Sequence, residues 1–334
     1  MAVSSKLKLL FVLDIMRKTD EYHPLNAREI AGKLGMYGIT AERKSIARDL
    51  ECLEEAGYTI MRCENHNKGY YMADHLFEDY ELKFLADTVN AASFLTERDS
   101  KAFVKKIRSL ATPEGDSLIA ATSFGDTSVK SDDSMNKIKL DAIIRAIKNR
   151  RQLSFQYYMI GKHNRRFLNR EGKVYDANPY YTVFRNGDYY LVVNMTEHED
   201  LTHFRIDLMT NVVVSEKEAR NPADVPGHGE TFDLQEYLRN SIHMWSGDPV
   251  RITLRCNNIM RGSIRKTFGK DIWTQEDEED FFTISVHAVD GKGLYQWLAQ
   301  YGEHVKVLSP QDVVDRHCQY LWDVLDQYGE TDLP

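Results

Sequence analysis

Between Thr40 and Gly57 the residues Ile46, Leu50 and Leu53 fall at i, i+4 and i+7, in surroundings that are mostly polar or charged. That spacing fits a helix that buries one stripe and leaves the rest of its surface in water. Such a helix needs partners, and the chain supplies them on both sides. Residues 6–18 carry Leu9, Leu10, Leu13 and Met16 at helical spacing and read as a first helix. Asn26 is a good N-cap for a second helix over 27–34, which Gly35 is expected to end. Residues 36–39 form a short connector. Thr40 is the N-cap candidate of the striped helix, and Gly57 closes it. Two strand-like runs follow, 58–63 and 69–72, with residues 64–68 as the turn between them.

Helix, helix, helix, hairpin is the order of a winged helix-turn-helix. In that arrangement the third helix presents polar side chains to base edges while its stripe anchors it. Arg43, Lys44, Ser45 and Arg48 occupy the expected outward positions. Arginine and lysine pair with guanine or with phosphate, and a serine hydroxyl bonds either. Arg28 on the second helix is a candidate phosphate contact, as are Asn67 and Lys68 in the turn. A charged helix face can also be no more than solvated surface; the capped second helix and the hairpin set this one apart. Charge alone does not decide. The chain has a net charge of −8, yet residues 1–74 hold 6 Lys and 5 Arg against 4 Asp and 7 Glu, so the acid excess lies elsewhere. Glu42, Glu51, Glu54 and Glu55 oppose strong nonspecific affinity, so a dimer or good base readout is expected. The run Ala27-Arg-Glu-Ile-Ala-Gly-Lys-Leu, followed by Thr40-Ala-Glu-Arg-Lys-Ser-Ile-Ala-Arg-Asp-Leu, resembles the DeoR-type winged helix-turn-helix. The connector 36–39 is longer than the turn usual in that group.

With 334 residues the chain is long enough for two or three domains. Residues 78–110 are helical in pattern, and the Ser/Asp-rich stretch 122–134 reads as a surface linker. After a helix over 137–148 the pattern turns to β: 153–157, 174–175, 181–184, 189–194, 203–206 and 212–214, with Asn186-Gly187 as a hairpin turn. Short strands this close suggest a small barrel. A Pro/Gly-rich stretch at 221–229 marks a further boundary. Beyond it, β-α-β-α-β-α order implies a small α+β sandwich. The expected fold is an α+β multidomain chain: a DNA-binding domain over 1–77, a helical linker over 78–136, a barrel over 137–222 and a C-terminal α+β domain over 223–334.

In the barrel region, Asp188-Tyr189-Tyr190-Leu191 follows the Asn-Gly turn, and Thr202-His203-Phe204-Arg205-Ile206-Asp207 follows about a dozen residues later. Upstream lie Phe155-Gln-Tyr157 and Asn178-Pro179-Tyr180. The set resembles the WYL domain of bacterial regulators, with Tyr189 at the Trp position. The last hundred residues resemble the WCX extension that often follows it. The resemblance implies an Sm-like barrel and a ligand sensor, with a nucleotide or nucleic acid as effector. Tyr157, Tyr189, Tyr190, His203 and Arg205 are the effector candidates, since tyrosine faces stack on bases and an arginine binds phosphate. Arg165, Arg166 and Arg170 form a basic hairpin nearby in sequence. Arg255, Arg261, Arg265 and Lys266 form a second basic cluster, for which a solvated face is the plainer reading.

No G-x-S-x-G, Walker loop, G-x-G-x-x-G or His-Glu-x-x-His is present, so no enzyme, cofactor or metal is expected. Cys52, Cys63, Cys256 and Cys318 have no C-x-x-C spacing and read as cytosolic thiols. There is no run of about 18 apolar residues, and the N-terminus reads as a helix, so a membrane is not expected as a partner. The sequence therefore points to a cytoplasmic, homodimeric regulator of transcription that binds double-stranded DNA. A single-strand- or RNA-binding accessory protein, and a hydrolase built on the acidic turns at 198–200 and 276–280, are the alternatives.

Overall fold

The computed structural model of the protein describes residues 4–63, 69–226, 234–245, 247–276 and 280–329. It is a mixed α+β structure that divides into two compact units: Met1–Lys137 with Asn186–Asp188, and Ile138–Arg185 with Tyr189–Pro334.

The first unit is helical at its start: α1 (Ser5–Met16), α2 (Ala27–Met36) and α3 (Arg43–Glu55), then the short strands β1 (Ile60–Arg62) and β2 (Tyr70–Met72). Asn26 caps α2 as expected: its side chain accepts from the N–H groups of Arg28 (2.9 Å) and Glu29 (3.1 Å). The Glu29 carboxylate accepts from the Asn26 N–H in return (2.8 Å), closing a capping box. Two punctuation marks fall elsewhere than expected. The helix runs through Gly35 to Met36, and the chain reverses at Gly38, whose φ of 72° is the left-handed conformation glycine tolerates best. The N-cap of α3 is Glu42 and not Thr40, and it makes no side-chain cap. β1 and β2 pair antiparallel with Ile60 opposite Met72. Val12, Ile15 and Met16 of α1, Ile30 and Leu34 of α2, the α3 stripe, Ile60 and Met72 form one core. A Cβ on Gly69 would sit 2.9 Å from the Pro24 Cβ, so a glycine is what lets the hairpin lie against the α1–α2 connection.

Three further helices complete this unit: α4 (Asp79–Ala91), α5 (Glu97–Arg108) and α6 (Pro113–Thr122). The stretch 78–110 is thus two helices, separated at residues 92–96, with Thr96 capping the second by accepting from the Asp99 N–H (3.0 Å). The helix α6 was not anticipated. Its start obeys a familiar rule: Thr112 accepts from the Gly115 N–H (3.2 Å), and Pro113 takes the first position, where its missing N–H costs nothing. Leu82, Ala86, Val89, Ile107, Ala111 and Ile119 form their shared core.

The helix α7 (Asn136–Lys148) leads into the second unit and its strands β3 (Arg151–Ile160), β4 (Arg166–Leu168), β5 (Tyr175–Arg185), β6 (Asp188–Met195), β7 (Leu201–Arg205) and β8 (Met209–Glu218). β3 is central. Leu153 lies opposite Ala177 of β5 on one edge and Val214 of β8 on the other, while Tyr158 pairs with Leu168 of β4. β5, β6 and β7 continue the sheet. At its far edge the Arg205 N–H donates to the Tyr157 hydroxyl (3.3 Å), so the end of β7 returns to β3. The result is a curled antiparallel sheet, a half-barrel filled by Leu153, Phe155, Ala177, Leu191, Val193 and Met209. β5 is one strand running through Pro179, where the sequence suggested two pieces; Asn186 (φ 52°) and Gly187 (φ 87°) make the expected hairpin turn.

The rest of the unit comprises α8 (Leu234–Asn240), β9 (Asp248–Asn257), α9 (Arg261–Phe268), β10 (Thr274–Glu276), β11 (Phe281–Asp290), α10 (Lys292–Tyr301), β12 (Val305–Ser309) and α11 (Gln311–Asp326). The strand order is β10-β11-β9-β12, antiparallel throughout. β10 lies at the edge of the segment read as an acidic turn. One sheet face, including Ile252, Leu254, Phe282, Ile284 and Val307, is buried with Ile264, Leu294, Trp297, Leu298 and Val313 of the helices. Among the described residues no helix is long and apolar enough to cross a membrane.

Candidate functional site

On α3 the stripe Ile46, Leu50 and Leu53 is buried, while Arg43, Lys44 and Arg48 are exposed. The three cations crowd the N-terminal half, where the helix dipole is already positive. Glu51, Glu54 and Glu55 occupy the exposed C-terminal half. Arg28 is also exposed, on α2. Ser45 is different. Its hydroxyl accepts from the Lys8 ammonium of α1, which also pairs with Asp49 at 2.8 Å. Ser45 thus helps fix α3 to α1, and its oxygen is engaged before any ligand arrives. Lys8 was missed, although the signal was present: it stands at i−4 from Val12, on the stripe that continues to Ile15 and Met16. A lysine on an apolar stripe needs a buried acidic partner. Asn67 and Lys68 lie outside the described residues.

In the half-barrel, Tyr190 lies directly opposite Arg205, and Val192 opposite His203. Alternation then puts Tyr190, His203 and Arg205 on one face of β6 and β7, and Leu191 with Phe204 on the other. Tyr189 belongs to the second set, with its ring 4.9 Å from that of Phe184. The Tyr157 ring also lies away from the first face, edge-on to Phe204 (5.1 Å), in an aromatic group with Phe155 and Tyr175. Only its hydroxyl reaches the candidate group, at the Arg205 N–H. Burial pushes that hydroxyl up to about 12, so it stays protonated. Five candidates therefore become one face of three, one hydroxyl at its edge, and Tyr189 behind.

The electrostatics of this face are milder than its composition suggests. Arg205 is held by Asp207 through two contacts, Nε to Oδ1 at 3.1 Å and Nη2 to Oδ2 at 2.9 Å. The bidentate pair fixes the guanidinium plane and balances its charge. His203 adds no charge near neutral pH, because burial lowers it to about 4. Its Nδ1–H donates to the Met244 carbonyl (3.2 Å), and its ring lies 5.4 Å from that of Tyr237. Arg185, at the end of β5, donates to the carbonyls of Leu238 (3.0 Å) and Ser241 (3.2 Å). Residues 234–245 are thereby fastened to the half-barrel beside His203. Asp207 and Arg185 were overlooked; Asp207 could have been suspected from Arg-Ile-Asp, which returns a carboxylate two residues after the arginine.

Two features of the first unit stand apart from these candidates. Asp20, His23 and Glu114 approach one another, with the His23 ring 2.9 Å from Asp20 and 3.5 Å from Glu114. Asp20 also accepts from the N–H groups of Tyr22 (2.9 Å) and His23 (2.7 Å), which makes it a turn cap. A cleft of about 650 Å³ is lined by Lys18, Lys101, Lys105 and Arg108, with Asp116 paired to the last.

A curled antiparallel sheet with Tyr190 and Arg205 on one face, followed by a four-stranded sheet with its helices on one side, defines a two-module class of protein. The sequence matches the family model of the WYL domain over residues 139–214 and that of the WCX domain over residues 248–321. The chain carries a WYL domain followed by a WCX domain. Among solved structures it is similar to proteasome accessory factor B/C (PafBC) of Arthrobacter aurescens, at 17% identity and a TM-score of 0.30, covering 98% of this chain and 50% of that one. The chain thus spans about half the length of that protein. It is also similar to a CRISPR Cas-related protein, at 14% identity and a TM-score of 0.39, covering 98% of this chain and 87% of the other. No curated protein matches the sequence.

Proposed function

We propose that the chain is a non-catalytic, cytoplasmic transcription regulator that reads double-stranded DNA through α3 and answers to an effector at the WYL domain. The observation that carries this reading is the polarity of α3, with Arg43, Lys44 and Arg48 exposed on a helix whose opposite stripe is buried. Three helices and a hairpin around one core support a winged helix-turn-helix, in which such a helix enters the major groove. The Lys8–Asp49 pair supports the rigid placement that base readout needs. The half-barrel is read as Sm-like. Its effector is a nucleotide or nucleic acid, met by the Tyr190 ring and the Arg205 guanidinium once it displaces part of the Asp207 pairing.

The test is capture of genomic fragments by the purified protein, followed by sequencing of the bound duplex. A few discrete sites are expected, and Arg48→Ala should weaken binding to them by roughly 1–3 kcal/mol while the thermal transition stays put. Unchanged affinity in Arg48→Ala would remove α3 from the interface. Loss of the effector response in Arg205→Ala, with duplex binding intact, is the expected signature of the second site. An unchanged response would place the effector elsewhere.

A further inference from the structure

The WCX sheet has two faces, and the helices cover one. The residues between the buried ones project the other way: Arg251, Thr253 and Arg255 on β9, Phe281, Thr283, Ser285 and His287 on β11, Gln275 on β10 and Lys306 on β12. The register brings them together. Arg251 lies opposite His287, Thr253 opposite Ser285, and Arg255 between Thr283 on one side and Lys306 on the other. Gln275 extends the same row beyond Thr283. Among the described residues of this face none is acidic, in a chain whose net charge is −8.

The face is also shaped for a particular kind of polyanion. Arg251, His287 and Lys306 are exposed. The Arg255 guanidinium lies over the Phe281 ring, 4.0 Å from its centre, a cation-on-aromatic pair on this face. Trp273, directly before β10, is 69% exposed. Thr253, Thr283 and Ser285 add hydroxyls, with Ser285 accepting from Arg251 Nε (3.0 Å). Duplex DNA presents its bases in a groove too narrow for a four-stranded sheet to enter. A single strand presents unstacked bases and a phosphate backbone together, and aromatic groups on an open sheet with interleaved cations match both.

We propose that the uncovered face of the WCX sheet binds single-stranded nucleic acid, with Arg251, Arg255 and Lys306 on the phosphates and Phe281 with Trp273 as stacking surfaces. At the spacing of neighbouring strands it accommodates about three nucleotides. The site is separate from α3 and from the Tyr190–Arg205 face, so it stands or falls independently of the duplex-reading and effector proposals.

The test is fluorescence anisotropy of labelled 15-nucleotide oligothymidylate and oligouridylate against the full chain at several salt concentrations. The two probes separate DNA from RNA as the source of the strand. Saturable binding that weakens with salt is expected, with unlabelled duplex a poor competitor. Arg251→Ala with Lys306→Ala should weaken it at least tenfold. Phe281→Ala should weaken it at least fivefold, since the variant has no ring on which a base can stack. If the double substitution perturbs the fold, Lys306→Gln alone, at an exposed edge-strand position, should still weaken binding measurably. No binding of either oligomer to the unaltered chain would overturn the proposal. So would equal competition by duplex, or a loss that follows Arg205→Ala instead of the sheet substitutions.

Discussion

His203 shows how one buried side chain sets a pH dependence. Its ordinary value of 6.5 falls to about 4 in the folded chain, chiefly through burial, with the Met244 carbonyl pulling the other way. Above 6.5 the imidazole is neutral in both folded and unfolded chains, and its contribution to stability is complete. As pH falls below 6.5 the unfolded chain takes up a proton that the folded one refuses, so stability drops until about pH 4. At pH 5 the loss from this group is about 2 kcal/mol. Denaturant titrations at pH 7.5 and 5.0 should show it, and His203→Gln should remove most of the difference; an equal acid sensitivity in that variant would rule out His203 as the cause. Burial also lowers His317, and the single substitution separates the two. None of this was legible from sequence. The sequence reads His203 as a ligand-facing residue, and what keeps it neutral is burial, against a segment that includes Met244, 41 positions further on. The Asn26–Glu29 capping box was legible because both partners lie within one turn.

Elements were readable where their determinants are local. The three leading helices and the Asn-Gly hairpin follow from stripe spacing and turn chemistry, and only their ends moved, by a residue or two at Gly35 and Thr40. The sequence shows β5 as two runs on either side of Pro179, a residue that usually interrupts a strand; the half-barrel carries the strand through it. Tyr157 and Tyr189 were misplaced for a related reason. Which face a tyrosine joins depends on register, and no register was available from the sequence. The pairing of α1 with α3 yields a sharper expectation. Lys8→Met leaves Asp49, whose side chain is 13% exposed, without its ammonium partner, and should lower stability by about 3 kcal/mol. Lys8→Met with Asp49→Leu should recover most of that. A single substitution as stable as the parent, by calorimetry, would mean that α3 needs no such anchor.

For the whole chain, the separation of an acidic bulk from local basic faces explains how a protein of net charge −8 can be proposed to meet nucleic acid. Long-range repulsion keeps weak encounters rare, so contacts must come from assembled faces. On the duplex-reading proposal one α3 offers few base contacts, and a two-fold pair would double them. Sedimentation of the full chain at micromolar concentration should therefore report about twice 38.7 kDa; a 38.7 kDa species that still holds its duplex site would rule out the paired reading. The fastening of residues 234–245 to the half-barrel matters to anyone recombining such proteins. These residues lie beyond the WYL match at 139–214 and before the WCX match at 248–321, where a cut looks harmless. A chimaera joined at residue 222 would separate Arg185 and His203 from the carbonyls of Leu238, Ser241 and Met244. The transplantable cassette ends after residue 245, and a half-barrel moved without that strip would lose the carbonyls to which Arg185 and His203 donate.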